Sequence, residues 1–70
     1  GPEHVEPLTG ALRHEVAAAL ASLGHPGPDV ASALDTWMSG ANLENRRSPG
    51  GIDARVLTQL RAAVRQSPEG

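Results

Sequence analysis

The sequence contains no cysteine, lysine, phenylalanine or tyrosine. Without cysteine there is no disulfide, no thiolate nucleophile and no cysteine-ligated metal. Trp37 is the only aromatic residue, so the core of this 70-residue chain must be built from aliphatic side chains. Few of these side chains are β-branched, which disfavours sheets. Composition therefore favours a small helical domain.

Long hydrophobic runs are also missing, because no stretch approaches the roughly 20 apolar residues of a membrane-spanning helix. The chain starts with an acidic segment rather than a signal peptide. Gly1 and Pro2 resemble a protease-cleavage scar left by cloning. We therefore expect an excised domain of a larger intracellular protein, cytoplasmic or nuclear, with no membrane contact.

Residues that could support catalysis are sparse. His4, His14 and His25 lack the spacing of metal ligands. Gly50 and Gly51 are not followed by the lysine of a phosphate-binding loop. No serine occupies a nucleophile-elbow context. The sequence predicts neither an enzyme nor a bound cofactor or metal.

Apolar residues recur at helical spacing in three segments. They are Leu12, Val16 and Leu20, then Val30, Leu34 and Trp37, then Ile52, Val56 and Leu60. These patterns predict an all-α fold, a compact three-helix bundle over residues 8–66. The predicted parts are a flexible lead at 1–7, helices at about 10–23, 28–40 and 52–66, and a tail at 67–70.

The turn Leu23-Gly24-His25, followed by Val30 and by Ala33-Leu34, resembles ubiquitin-associated (UBA) domains in order and spacing. The last helix, residues 56–64, is similar to that of the C-terminal domain of the branch-migration protein RuvA. The resemblance covers about residues 12–65. It implies a three-helix protein-binding module whose partner is ubiquitin or a subunit of the same complex.

Arginines supply every side-chain cation other than histidine, and they are unevenly distributed. Residues 1–45 carry one arginine and six carboxylates, whereas residues 46–70 carry five arginines and two carboxylates. On the third helix, Arg55, Arg61 and Arg65 are predicted to lie opposite the apolar stripe. They form either a solvated surface or a binding face for an acidic protein or for nucleic acid.

The first helix offers a second surface, because Ala11, Ala17, Ala18 and Ala21 lie away from its leucine stripe. Alanines at these positions either favour helix formation on an exposed surface or allow another helix to approach closely.

The function predicted from the sequence is a non-catalytic helical module for protein–protein interaction. The alternatives are a small nucleic-acid-binding domain that uses the arginines of the third helix, and a homodimerisation domain that uses the alanines of the first. The predicted partner-binding residues are Leu23, Gly24, His25, Arg55, Leu60, Arg61, Val64 and Arg65.

Overall fold

Three helices and a two-stranded sheet form the fold in the computed structural model, which describes residues 3–67. The elements in chain order are β1 (Val5–Pro7), α1 (Gly10–Ser22), α2 (Val30–Gly40), a 3-10 helix (Glu44–Arg46), β2 (Gly51–Asp53) and α3 (Ala54–Gln66). The three predicted helices are present, with ends within two residues of the predicted ones. No helix in residues 3–67 is long and apolar enough to cross a membrane.

The helix ends have local causes. The Asp29 carboxylate accepts a hydrogen bond from the Ser32 N–H at 3.1 Å and so caps α2, while Asp53 caps α3 in the same way. Gly24 lies just after α1 with a φ of +92°, a left-handed conformation that suits glycine.

A short sheet closes the domain, and its presence corrects two predictions. β1 and β2 pair antiparallel, with Val5 opposite Asp53 and Pro7 opposite Gly51. The fold is therefore mostly helical but not purely all-α. The predicted flexible lead is also wrong at Val5–Pro7, which form β1. Gly1 and Pro2, like the tail residues 68–70, lie outside the described residues.

The strands can approach closely because residue 51 is glycine. A Cβ atom at Gly51 would lie 2.7 Å from the Glu6 carbonyl oxygen and 2.7 Å from the Val5 Cγ1 atom. Neither distance is compatible with normal van der Waals contact, and the first involves backbone that cannot move alone.

The core is aliphatic, as the composition predicts. Its buried members are Leu8, Val16, Leu20, Val30, Leu34, Met38, Leu43, Ile52, Val56, Leu57 and Leu60. Trp37 is half-buried and packs against this cluster. Leu43 belongs to the segment between α2 and β2, so this connection contributes to the core, and it also forms a 3-10 helix.

Candidate binding site

A buried carboxylate organises the start of α3. Asp53 is 1% exposed, and its side chain accepts hydrogen bonds from three separate segments. The Glu3 N–H donates to Oδ1 at 2.9 Å. The Arg55 N–H and the Arg46 Nη1 atom donate to Oδ2 at 3.0 and 3.3 Å. Asp53 thus fastens the N-terminal residues and the 3-10 helix to the first turn of α3.

These donors favour the ionised form of the carboxyl group. The Glu3 N–H contributes most to holding the pKa of Asp53 below its ordinary value, and burial opposes this effect. The Arg55 N–H and the Arg46 guanidinium also lower the pKa of Asp53. Asp53 is therefore a charged structural residue at neutral pH.

A polar groove of about 500 Å³ lies beside this carboxylate, where the N-terminal residues meet α3. The side chains that can offer hydrogen bonds there are Glu3, His4, Arg46, Arg55, Thr58 and Gln59. Arg46 forms an ion pair with Asp53, and only 21% of its side chain is exposed. The guanidinium of Arg55 is exposed and makes no ion pair or hydrogen bond within residues 3–67. We name this surface the polar groove.

A second groove, of about 460 Å³, lies between α1 and α3. Its sides are formed by Glu15, Ala18, Ala19, Ser22, Arg61, Val64 and Arg65. Arg61 donates two hydrogen bonds to the Glu15 carboxylate, at 2.6 and 2.8 Å. This bidentate pair lowers the pKa of Glu15 and raises the pKa of Arg61.

The structure places the predicted partner-binding residues in several different parts of the domain. Arg61, Val64 and Arg65 line the groove against α1, whereas Arg55 lines the polar groove. Leu60 is 0% exposed and belongs to the core, so it offers no surface to a partner.

The other predicted partner residues form the turn after α1. Leu23 and His25 are half-buried, and Gly24 is exposed. The His25 N–H donates to the Leu20 carbonyl oxygen at 2.8 Å, which closes the end of the helix. This turn lines neither groove. That these three residues bind a partner remains a prediction.

Several residues of the polar groove were not predicted as site residues, namely Glu3, His4, Thr58 and Gln59. No local pattern marks them, because the groove exists only where the N-terminal residues return to α3. Asp53 did carry a signal, since an Asp directly before an apolar helical pattern is typical of an N-cap. Within residues 3–67, no group of three or more histidines and carboxylates is arranged to hold a metal ion.

Comparison with known proteins gives one family. The model of the family described as "putative peptidoglycan binding domain" matches residues 1–60. No curated protein and no solved structure gives a match. The three helices expected from the UBA resemblance are present, but the family that matches is a different one.

This match corrects the predicted partners. It points to peptidoglycan, a polymer of the cell wall, and not to ubiquitin or another protein. The predictions of a protein partner, whether a subunit of the same complex or a second copy of the chain, are therefore wrong. Nucleic acid receives no support from the match either.

Proposed function

The chain belongs to the family described as "putative peptidoglycan binding domain", and we propose that it is a non-catalytic module that binds peptidoglycan. The observation that carries this proposal is the match of the family model to residues 1–60, which include α1, α2, both strands and about half of α3. The description is of a binding domain, in agreement with the absence of catalytic motifs in the sequence.

The polar groove is the surface that suits this ligand best. Peptidoglycan consists of amino-sugar strands that carry short peptides, and it presents hydroxyl, amide, carboxylate and ammonium groups. The groove offers charged partners in Arg55 and Glu3 and uncharged hydrogen-bonding partners in Thr58 and Gln59. The groove between α1 and α3 is less suited, because alanine and valine supply much of its surface and Arg61 is already paired with Glu15.

A peptidoglycan ligand also changes the expected location. The polymer lies outside the cytoplasmic membrane, so a domain that binds it must reach that side. We therefore propose the cell wall as the site of action in place of the intracellular location expected from the sequence. The proposed location follows only from the identity of the proposed ligand.

Cosedimentation with purified insoluble peptidoglycan tests the proposal. The folded 70-residue chain should pellet with the polymer in a saturable manner and stay in the supernatant with cellulose, which carries neither acetamido groups nor peptides. Soluble fragments released from the same peptidoglycan should compete. A chain that remains in the supernatant with peptidoglycan at both low and physiological salt would contradict the proposed function.

A further inference from the structure

We propose that the polar groove recognises the peptide part of peptidoglycan, through a carboxylate held by Arg55, and not the sugar strand. This inference rests on the proposed function. It assigns a chemical class of ligand to one surface and one principal residue to its recognition.

The first argument is the pairing of the arginines. Arg46, Arg47 and Arg61 each have a carboxylate partner, at 3.3, 2.8 and 2.6 Å respectively. Arg13, Arg55 and Arg65 are exposed and have no such partner among residues 3–67. Of these three, only Arg55 lines the polar groove. A guanidinium presents several N–H donors that match a carboxylate in a bidentate manner. Its ligand would therefore supply the carboxylate that the chain does not.

The second argument is that the buried carboxylate beside the groove, Asp53, already has its hydrogen-bond partners. Asp53 accepts hydrogen bonds from the Glu3 N–H, the Arg55 N–H and the Arg46 guanidinium. These bonds satisfy both oxygens and balance much of the negative charge, so Asp53 does not need the Arg55 side chain. The carboxylate of Glu3, which also makes no ion pair within residues 3–67, gives the groove an anion beside its cation. One cation and one anion suit a peptide that carries both a carboxylate and an ammonium group.

The third argument concerns the sugar strand. Sugar rings pack their apolar faces against aromatic side chains, and the chain has a single aromatic residue. That residue, Trp37, lies in α2, packs against the core and does not line the polar groove. The groove therefore has charged partners for a peptide and no phenylalanine, tyrosine or tryptophan side chain for a sugar ring.

An NMR titration of the ¹⁵N-labelled 70-residue chain tests the inference with three soluble probes. The first is a synthetic peptide with the composition of the peptidoglycan peptide and free carboxylates. The second is the same peptide with every carboxylate amidated, and the third is a tetramer of N-acetylglucosamine. We expect the first probe to shift the amide signals of His4, Ala54 and Arg55, and the other two to leave them in place.

Two matched variants of α3 test whether Arg55 is the residue that binds the carboxylate. Arg55→Gln should weaken binding of the free-carboxylate peptide by about tenfold or more, because a charge-assisted hydrogen bond is lost. Arg65→Gln is the control, since Arg65 is also an exposed arginine of α3 without an ion pair within residues 3–67 but lies away from the polar groove. Both variants should melt like the parent chain, because neither removes an internal contact of a guanidinium.

Four results would overturn the inference while the proposed function stands. They are equal affinity of the two arginine variants, equal binding of the amidated peptide, groove shifts caused by the sugar tetramer, and no shift with the free-carboxylate peptide although the chain pellets with peptidoglycan. Failure to pellet with peptidoglycan would instead remove the proposed function itself.

Discussion

The carboxylate of Asp53 accepts a hydrogen bond of 2.9 Å from the backbone N–H of Glu3, 50 positions earlier in the chain. This bond joins the beginning of the described chain to the start of its last helix, at the edge of the polar groove. The integrity of the groove and the stability of the domain therefore depend on the same side chain.

Replacing that side chain should destabilise the domain strongly. Asp53→Asn replaces one oxygen of a buried carboxylate with an NH₂ group. The side chain at position 53 is surrounded by three hydrogen-bond donors, so the new NH₂ group leaves at least one of them without an acceptor. Asp29→Asn is the control, because Asp29 caps α2 through one exposed hydrogen bond. Asparagine caps a helix about as well as aspartate, so Asp29→Asn should change the melting temperature little. Circular dichroism should show a decrease of about 4–8 °C or more for Asp53→Asn, because a buried donor left without an acceptor costs about 1 kcal/mol or more. Equal melting temperatures of the two variants would contradict the structural role of Asp53.

Stability should fall in acid for a defined reason. The pKa of Asp53 and the pKa of Glu15 are both lower in the folded chain than their ordinary values of 3.8 and 4.5. A carboxyl group with a depressed folded-state pKa stabilises the fold above its unfolded-state pKa, and this contribution disappears as the pH falls through the folded-state pKa.

Urea denaturation measured from pH 7 to pH 2 provides the check. The contribution of these two groups to the free energy of unfolding should be constant down to about pH 5 and should decrease progressively below about pH 4. Asp53→Asn should be less stable at pH 7 and should lose less on acidification. A variant whose pH profile runs parallel to that of the parent chain would show that Asp53 does not titrate as argued.

Gly51 should not tolerate a methyl group. Gly51→Ala places a Cβ atom 2.7 Å from the carbonyl oxygen of Glu6, so β1 must move away from β2. The expected cost is about 1–3 kcal/mol in the free energy of unfolding. Gly40→Ala is the matched control, since nothing lies within 4 Å of a Cβ atom at this helical position. That variant should be neutral or slightly more stable, and urea denaturation would contradict the prediction if both variants behaved alike.

Trp37 should contribute to stability although it is only half-buried. It packs against the core cluster from α2, so Trp37→Ala removes a large apolar contact. We expect a loss of about 3 kcal/mol, at the low end of the range for tryptophan truncation. As the single tryptophan of the chain, Trp37 also reports unfolding through its own fluorescence. Because Trp37→Ala removes this fluorescent group, unfolding of the variant must be measured by circular dichroism. A melting curve equal to that of the parent chain would contradict the packing of Trp37 against the core.

The helices could be predicted because their evidence is local. Leucine and valine recur with the helical period, and Gly24 and Asp29 mark where α1 ends and α2 begins. The sheet could not be predicted in this way. Each strand has three residues, too few for a period, and every residue of β1 is exposed. The sheet forms only because each strand pairs with a segment that lies far away in the sequence.

The candidate site was predictable only in part for a similar reason. A helix turns by about 100° per residue, which places Arg61 and Arg65 about 40° apart but Arg55 about 120° from Arg61. The helical period therefore does not support a single arginine face, and the structure divides these residues between two grooves. The contribution of Glu3 and His4 to the polar groove follows from the return of the N-terminal residues to α3, which no local pattern indicates.

The pairing of Val5 with Asp53 has a further consequence for the order in which the domain forms. It closes a loop that contains α1, α2 and the 3-10 helix. Closing a loop of this length costs about 3 kcal/mol of conformational entropy. The three paired positions of the sheet offset little of this cost until the helices have packed. The strands should therefore join after the rate-limiting barrier. Changes in the sheet, Gly51→Ala among them, should then accelerate unfolding and leave the rate of folding almost unaltered.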